Sequence, residues 1–240
     1  MIGIICALPE ELKEIREGME PDGELEYSGI KYYLGKLCGQ DVVCAVCGVG
    51  KVFAAICAQT MVLKFRPNLI LNVGVAGSLS DTLGVADIVI ARQLVQHDMD
   101  VTALGEPLGK ILGSDIQYIP TSEDVRDRLF SAIMELNADK DFGGKEVKAL
   151  QGTIVSGDQF ISSKGKKQLL VEIFKALACE MEGAAIAQVC YVNKVPFCVL
   201  RAISDSADVD ARMEYPAFVA IAAKNSAKVI RKYLNNLSAE

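Results

Sequence analysis

The feature that most restricts this chain is a set of short stretches built almost wholly from apolar residues: Ile2–Leu8, Tyr32–Leu37, Val42–Cys47, Leu69–Val75, Asp87–Ala91, Thr153–Ser156 and Phe197–Ile203. A strand with one wet face alternates apolar and polar residues; these runs barely alternate, so they predict strands covered on both faces. Between them, apolar residues recur at helical spacing over Val52–Lys64, Asp124–Leu136 behind a Ser122 cap, Lys166–Leu177 and Met181–Val192. A last helix is expected to open at Pro216, with Val219, Ala222, Ile230, Tyr233 and Leu234 along one stripe. Strands alternating with helices predict an α/β fold, a three-layer α/β/α sandwich with a central mixed sheet. No linker, composition shift or repeat interrupts the pattern, so residues 1–240 read as one domain, long enough to bury a core without disulfides or metal. The loosest stretch, roughly 105–121, reads as a loop able to serve as a lid.

Charge narrows the partners. With 31 acidic against 25 basic side chains, a net charge of -6 and no block of about five like charges, the field repels phosphate backbones and anionic lipid. Neither nucleic acid nor membrane is an expected partner. The eight cysteines sit in apolar runs, Cys38 beside a turn, and read as small core residues. The opening MIGIICALPEELKE has no basic flank and runs into Pro9, Glu10 and Glu11, and no window approaches about 20 consecutive apolar residues. A cytoplasmic, reducing location is the expectation.

In sheets of this kind ligands bind at the C-terminal ends of strands, so the residues that end each apolar run carry the information. They are Glu10 and Glu11, Gly48–Gly50, the Gly74–Ser78 turn, Ser156-Gly157-Asp158, Glu180-Met181-Glu182 and Ser204-Asp205. Several chemistries fail against them. GVGK at 48–51 is followed by Val52 rather than Ser or Thr and is no phosphate loop; CALPEEL follows the first strand where a dinucleotide site needs glycines. His97 is the single histidine and no Gly-x-Ser-x-Gly elbow accompanies it, which leaves no Ser-His-Asp site. Cys44 and Cys47 on one strand point to opposite faces, and His97, Asp98 and Asp100 read as a polar loop whose groups satisfy one another. No metal or cofactor is expected.

The acidic ends remain. Glu180 and Glu182 open an apolar helix, where the free N–H groups favour negative charge. One carboxylate suffices as a cap; the second, beside Gly183, is expected to face a ligand hydroxyl. Arg201, inside the apolar strand FCVLRAIS, needs an acidic partner, with Glu182 or Asp205 as candidates.

At these residues the chain resembles the 5′-methylthioadenosine/S-adenosylhomocysteine nucleosidases of the nucleoside phosphorylase superfamily. The likeness runs through IGIICALPEEL at 2–12, CGVGKVFAA at 47–55, NVGVAGSL at 72–79, HDMDVTALG at 97–105, IVSGDQFI at 154–161, EMEGAAIAQVC at 180–190, VPFCVLRAISD at 195–205 and YPAFVAIAAKNS at 215–226. The resemblance implies hydrolysis of the N-glycosidic bond of 5′-thioadenosines to adenine and a thioribose, without metal or cofactor. It makes Asp205 the general acid toward adenine N7 and Glu11 the base that handles water. Glu182 would take the ribose hydroxyls and Met181 would pack on the sugar, with Glu180 beside them in the binding wall. Phe160 would stack on adenine and the Ile161 backbone would read its edge, while Arg201 and Ser204 hold the carboxylates. Val75, Ala76 and Gly77 would line the site, and Leu8, Val49 and Tyr215 the 5′-alkylthio pocket. A homodimer is implied, with residues near Leu104 and Leu112 closing the neighbour's site. Two positions depart from the pattern: Val75 stands where many relatives carry serine, and Gly183 where alanine is common. A futalosine-type nucleosidase, and more distantly a purine nucleoside phosphorylase, are the alternatives.

Overall fold

The apolar runs at Leu69–Val75 and Phe197–Ile203 become β5 (Leu69–Ser78) and β10 (Phe197–Asp205), with every residue of each buried. The computed structural model describes residues 1–207 and 211–239, the side chains of 211–217 excepted. β1 (Ile2–Cys6) lies between β5 and β4 (Gln40–Val46), parallel to both. β3 (Ile30–Leu37) and β2 (Met19–Tyr27) continue outward from β4 as an antiparallel meander. On the other side of β5, β10 runs parallel to it and antiparallel to β6 (Ile88–Gln96). β6 pairs in parallel with β8 (Ala149–Ser156), and β8 with β9 (Ala176–Glu180). The short β7 (Ile119–Pro120) flanks β6.

β9 then pairs back onto the end of β5, Gly77 opposite Cys179, so β5, β10, β6, β8 and β9 form a closed circuit within the ten-stranded mixed sheet. Closure has a consequence for the site. Register places Asp205 opposite Gly77, Gly77 opposite Cys179 and Ser156 opposite Glu180, so four strand ends share one rim.

Alternation along each strand divides the apolar side chains between two layers, which is why the runs look continuous in sequence. Ile4, Leu71 and Leu200 face α1 (Pro9–Arg16), α3 (Glu123–Ala138) and α6 (Ala211–Ser238) through Leu12, Ile15, Leu129, Ile230 and Leu234. Ile5, Ile70 and Val199 face α2 (Lys51–Phe65) and α5 (Gly183–Asn193), whose Ala54, Ala58, Ala184 and Ala187 let the helices lie close. Each fully buried Leu or Ile contributes about 1.5–3 kcal/mol of hydrophobic stabilisation. A third cluster packs Leu170 and Phe174 of α4 (Lys164–Phe174) on Val95 and Val155.

Some elements depart from expectation. β2 is largely exposed and reads MEPDGELEY, with Pro21, Gly23 and four acidic residues; an edge strand needs charge and proline to discourage further pairing, and that camouflage hides it from a hydrophobicity pattern. The helix expected through Leu177 stops at Phe174, where Lys175 turns left-handed (φ 51°), and Ala176–Glu180 is taken as a strand by β8 and β5. The last helix spans Ala211–Ser238, so Pro216 falls inside it rather than opening it. α1 and β7, too short for a periodic signal, lie outside the expected elements. All eight cysteines are free and seven are buried, Cys44 and Cys47 in opposite layers. No helix among the described residues is long and apolar enough to cross a membrane.

Candidate active site

The rim opens into a cleft of about 740 Å³, counting its open mouth. Leu8, Glu11, Val49, Val75, Ala76, Gly77, Phe160, Ile161, Glu180, Met181, Glu182, Ser204 and Asp205 line it. Ala7, Gln159 and Cys179 also line it and were not singled out from sequence; each adjoins or lies within a motif that was, and adjacency to LPEEL, DQFI or EME was the available signal. Tyr215 falls on α6, but its side chain lies outside the described residues.

Glu11 sits in the first turn of α1 and folds back over the helix start. Its Oε2 accepts the Ala7 and Leu8 N–H groups, each at 2.9 Å, and its Oε1 accepts Val75 N–H at 3.0 Å. The Val75 contact uses backbone alone and does not depend on the side chain at that position. Burial pushes the Glu11 pKa up, against the opposing field of Arg201 and the three N–H groups. A carboxylate raised in this way is a better proton acceptor while remaining anchored.

Asp205 faces the same cleft from the end of β10. Ser204 Oγ donates to Oδ2 at 2.9 Å and Ala207 N–H to Oδ1 at 2.9 Å. β5 ends between the two acids and spends its glycines on them. A Cβ on Gly74 would stand 2.7 Å from Glu11 Oε1, and one on Gly77 would stand 2.8 Å from Asp205 Oδ1. Neither position has room for a side chain while both carboxylates hold their places.

The Glu180–Glu182 pair divides its labour as the motif suggests, with one correction. Glu180 Oε2 accepts Glu182 N–H (3.0 Å) and Gly183 N–H (2.7 Å) at the start of α5, and Ser156 Oγ donates to Oε1. Glu180 is also the partner of Arg201, Nη2 to Oε2 at 2.5 Å, where Glu182 or Asp205 was expected. The reason is position: Arg201 is 1% exposed behind the cleft wall, under the helix start that Glu180 closes, whereas Asp205 at the rim is already engaged by Ser204 and Ala207. Arg201 therefore holds Glu180 rather than lining the cleft. Asn72 completes the pair, accepting from Arg201 Nη2 at 2.5 Å and donating to Ile5 O at 2.9 Å. A lone amide in the apolar strand LILNVGV was the sequence signal for it, since a buried amide requires partners.

Glu182 is left with one oxygen on Gly50 N–H at 2.8 Å and its carboxyl in the cleft wall. Burial, and then the charge of Glu180, push its pKa up to about 7. It can accept hydrogen bonds from a polar ligand, which would favour its charged form. Elsewhere, Asp98 is engaged by Lys51, Asp100 by Thr102, and His97 is buried. Among the described residues no three His, Cys, Asp or Glu gather as a metal-ligand set. Leu104 and Leu112 are 68% and 52% exposed and stand outside the cleft lining.

The sequence matches the profile described as Phosphorylase superfamily over residues 1–235. The 5′-methylthioadenosine/S-adenosylhomocysteine nucleosidase of Shewanella halifaxensis is 37% identical over 237 residues, 98% of this chain and 99% of that protein. The futalosine hydrolase of Helicobacter pylori strain 26695 superposes with a TM-score of 0.88 at 38% identity, covering 98% of this chain and 97% of that one. The 5′-methylthioadenosine/S-adenosylhomocysteine nucleosidase from Neisseria meningitidis, in complex with methylthio-immucillin-A, gives a TM-score of 0.90 at 32% identity, with 98% of each chain covered. Full-length identity and superposition at this level add to the two acids, the paired glutamates and the closed rim, and together they place the chain in the phosphorylase superfamily, in its 5′-methylthioadenosine/S-adenosylhomocysteine nucleosidase family.

Proposed function

We propose that this protein hydrolyses the N-glycosidic bond of 5′-methylthioadenosine and S-adenosylhomocysteine, releasing adenine and the corresponding thioribose. One observation carries the reading: Glu11 and Asp205, on different elements, line a single cleft with Glu182 in its wall. Adenine leaves poorly as an anion, and the sugar approaches an oxocarbenium ion as the bond stretches. Asp205 delivers a proton to adenine N7 so that the base departs neutral. Glu11 takes a proton from the water that attacks the anomeric carbon, and the water oxygen forms the new bond there. Each positioned proton transfer contributes about 10²–10⁴-fold. Glu182 accepts the ribose hydroxyls, Met181 packs on the sugar, Phe160 stacks on the base with the Ile161 backbone at its edge, and Leu8 and Val49 face the 5′-alkylthio group.

Water is favoured over phosphate as the nucleophile. A phosphate dianion needs cations or free N–H donors. Here Val75 N–H is taken by Glu11, Gly50 N–H by Glu182, and the Arg201 guanidinium is paired with Glu180. Adenine release from both thioadenosines should therefore be independent of phosphate; a strict phosphate requirement would turn the reading into phosphorolysis. The futalosine hydrolase among the similar structures supports a second substrate to be run beside them, and faster turnover of futalosine would move the assignment to that branch. In the same assay kcat/KM should fall as pH drops below about 7, because Glu182 accepts a sugar hydroxyl more strongly as carboxylate. The sign for stability is opposite: a carboxyl whose folded pKa is raised contributes stability at low pH that is lost as pH rises through about 7.

The reading includes a homodimer in the cytoplasm. Val52, Phe53 and Leu63 on α2, Val192 at the end of α5, and Leu104 and Leu112 are all more than half exposed, an apolar surface of the kind that marks an interface. Light scattering at micromolar concentration should give twice the 25.8 kDa chain mass, and Phe53→Glu should shift it toward the monomer. A monomeric wild type would remove the dimer.

A further inference from the structure

Two residues without a role in the cleft meet in space: Lys51, which ends GVGK at 48–51, and Asp98 of HDMD at 97–100. Lys51 Nζ donates to Asp98 Oδ1 at 2.6 Å and to Gln96 Oε1 at 3.1 Å. The other Asp98 oxygen accepts Asp158 N–H at 2.9 Å, and Asp158 Oδ1 in turn accepts Lys51 N–H at 2.8 Å. These links close a ring between the start of α2, the residues after β6 and the loop after β8.

The ring is built rather than incidental. The Lys51 and Asp98 side chains are only 19% and 15% exposed, so the pair is shielded from much of the screening that weakens surface ion pairs. Burial alone would raise the Asp98 pKa, yet Lys51 and the Asp158 N–H hold it below the usual carboxylate value. Glycines permit the approach: a Cβ on Gly157 would lie 2.4 Å from His97 Nε2, and Gly50 (φ 100°) would carry one 3.1 Å from Asp158 Oδ1.

What hangs from the ring is the nucleoside cleft. One residue before Lys51, Gly50 N–H holds Glu182; directly after Asp158 come Gln159, Phe160 and Ile161 of the cleft wall. Lys51, Asp98 and Asp158 do not line the cleft, and Glu11 and Asp205 have hydrogen-bond partners outside the ring. We propose that Lys51 and Asp98 are positioning residues that tie the base-facing loop to the ribose-facing carboxylate, fixing the spacing at which a nucleoside is gripped. The proposal rests on the nucleosidase reading for its ligand, though not for the existence of the tie.

Lys51→Met keeps the apolar stem and removes the charge. It should raise KM for methylthioadenosine by about tenfold or more while kcat stays within about threefold, since the reacting carboxylates are held elsewhere. Lys51→Arg should restore most of the loss. Asp98→Asn leaves an acceptor for Lys51 but none for Asp158 N–H, and should reproduce the rise in KM. Amide hydrogen exchange on the protein without nucleoside judges the tie separately: Gly50, Lys51 and Asp158 should exchange faster in Lys51→Met. Unchanged exchange, or faster exchange with an unchanged KM, overturns the proposal, as does a loss confined to kcat. Absence of adenine release by the wild type would instead sink the nucleosidase reading, with the exchange rates still deciding whether the ring constrains the loop.

Discussion

Asp205→Asn should lower kcat by at least about 10²-fold while leaving the affinity for thioadenosines close to that of the wild type. The amide has the shape of the carboxyl, keeps one oxygen to accept from Ala207 N–H and can donate its NH₂ to Ser204 Oγ. What it lacks is a proton for N7, and without that proton the base must leave as an anion. Measured adenine release, together with equilibrium binding of an unreacted substrate, separates the two effects. Retention of more than about a tenth of the wild-type rate would take Asp205 out of the acid role.

Glu11→Gln is expected to be nearly as damaging, by about 10²-fold or more in kcat, and for a different reason. Glutamine cannot take a proton from water. It also brings an NH₂ group to a place where three backbone N–H groups converge, from Ala7, Leu8 and Val75. At least one of those donors then loses its acceptor, at about 1–3 kcal/mol, partly offset by removal of a buried charge. The pair of variants therefore differs in a second measurement: thermal unfolding should shift for Glu11→Gln and barely for Asp205→Asn. Full activity in Glu11→Gln would leave the water without an assigned base.

The contrast between these two acids also marks how much of the site the sequence made legible. Both end apolar runs, and a strand end is where this architecture binds ligands, so both could be named from the chain alone. The division between Glu180 and Glu182 was visible as well, because a helix start needs one carboxylate and the motif supplies two. The partner of Arg201 was not. Pairing depends on which face of the sheet each side chain enters, and the turn of Lys175 into β9, which brings Glu180 beneath Arg201, is a tertiary event. The Lys51–Asp98–Asp158 ring is invisible for the same reason, since its members come from segments 47 and 60 residues apart.

Hydrophobic patterning alone determined that this chain would form a sheet covered on both faces with ligand-binding ends, because burial of apolar surface is the dominant favourable term and its period is written locally. Tertiary structure alone decided that five strands close into a circuit, that β2 takes the edge, and that Gly74 and Gly77 leave room for two carboxylates on either side of one strand end. Those outcomes depend on distances between residues far apart in the chain. Local propensity carries no information about such distances; packing at near-crystalline density sets them once the layers have come together.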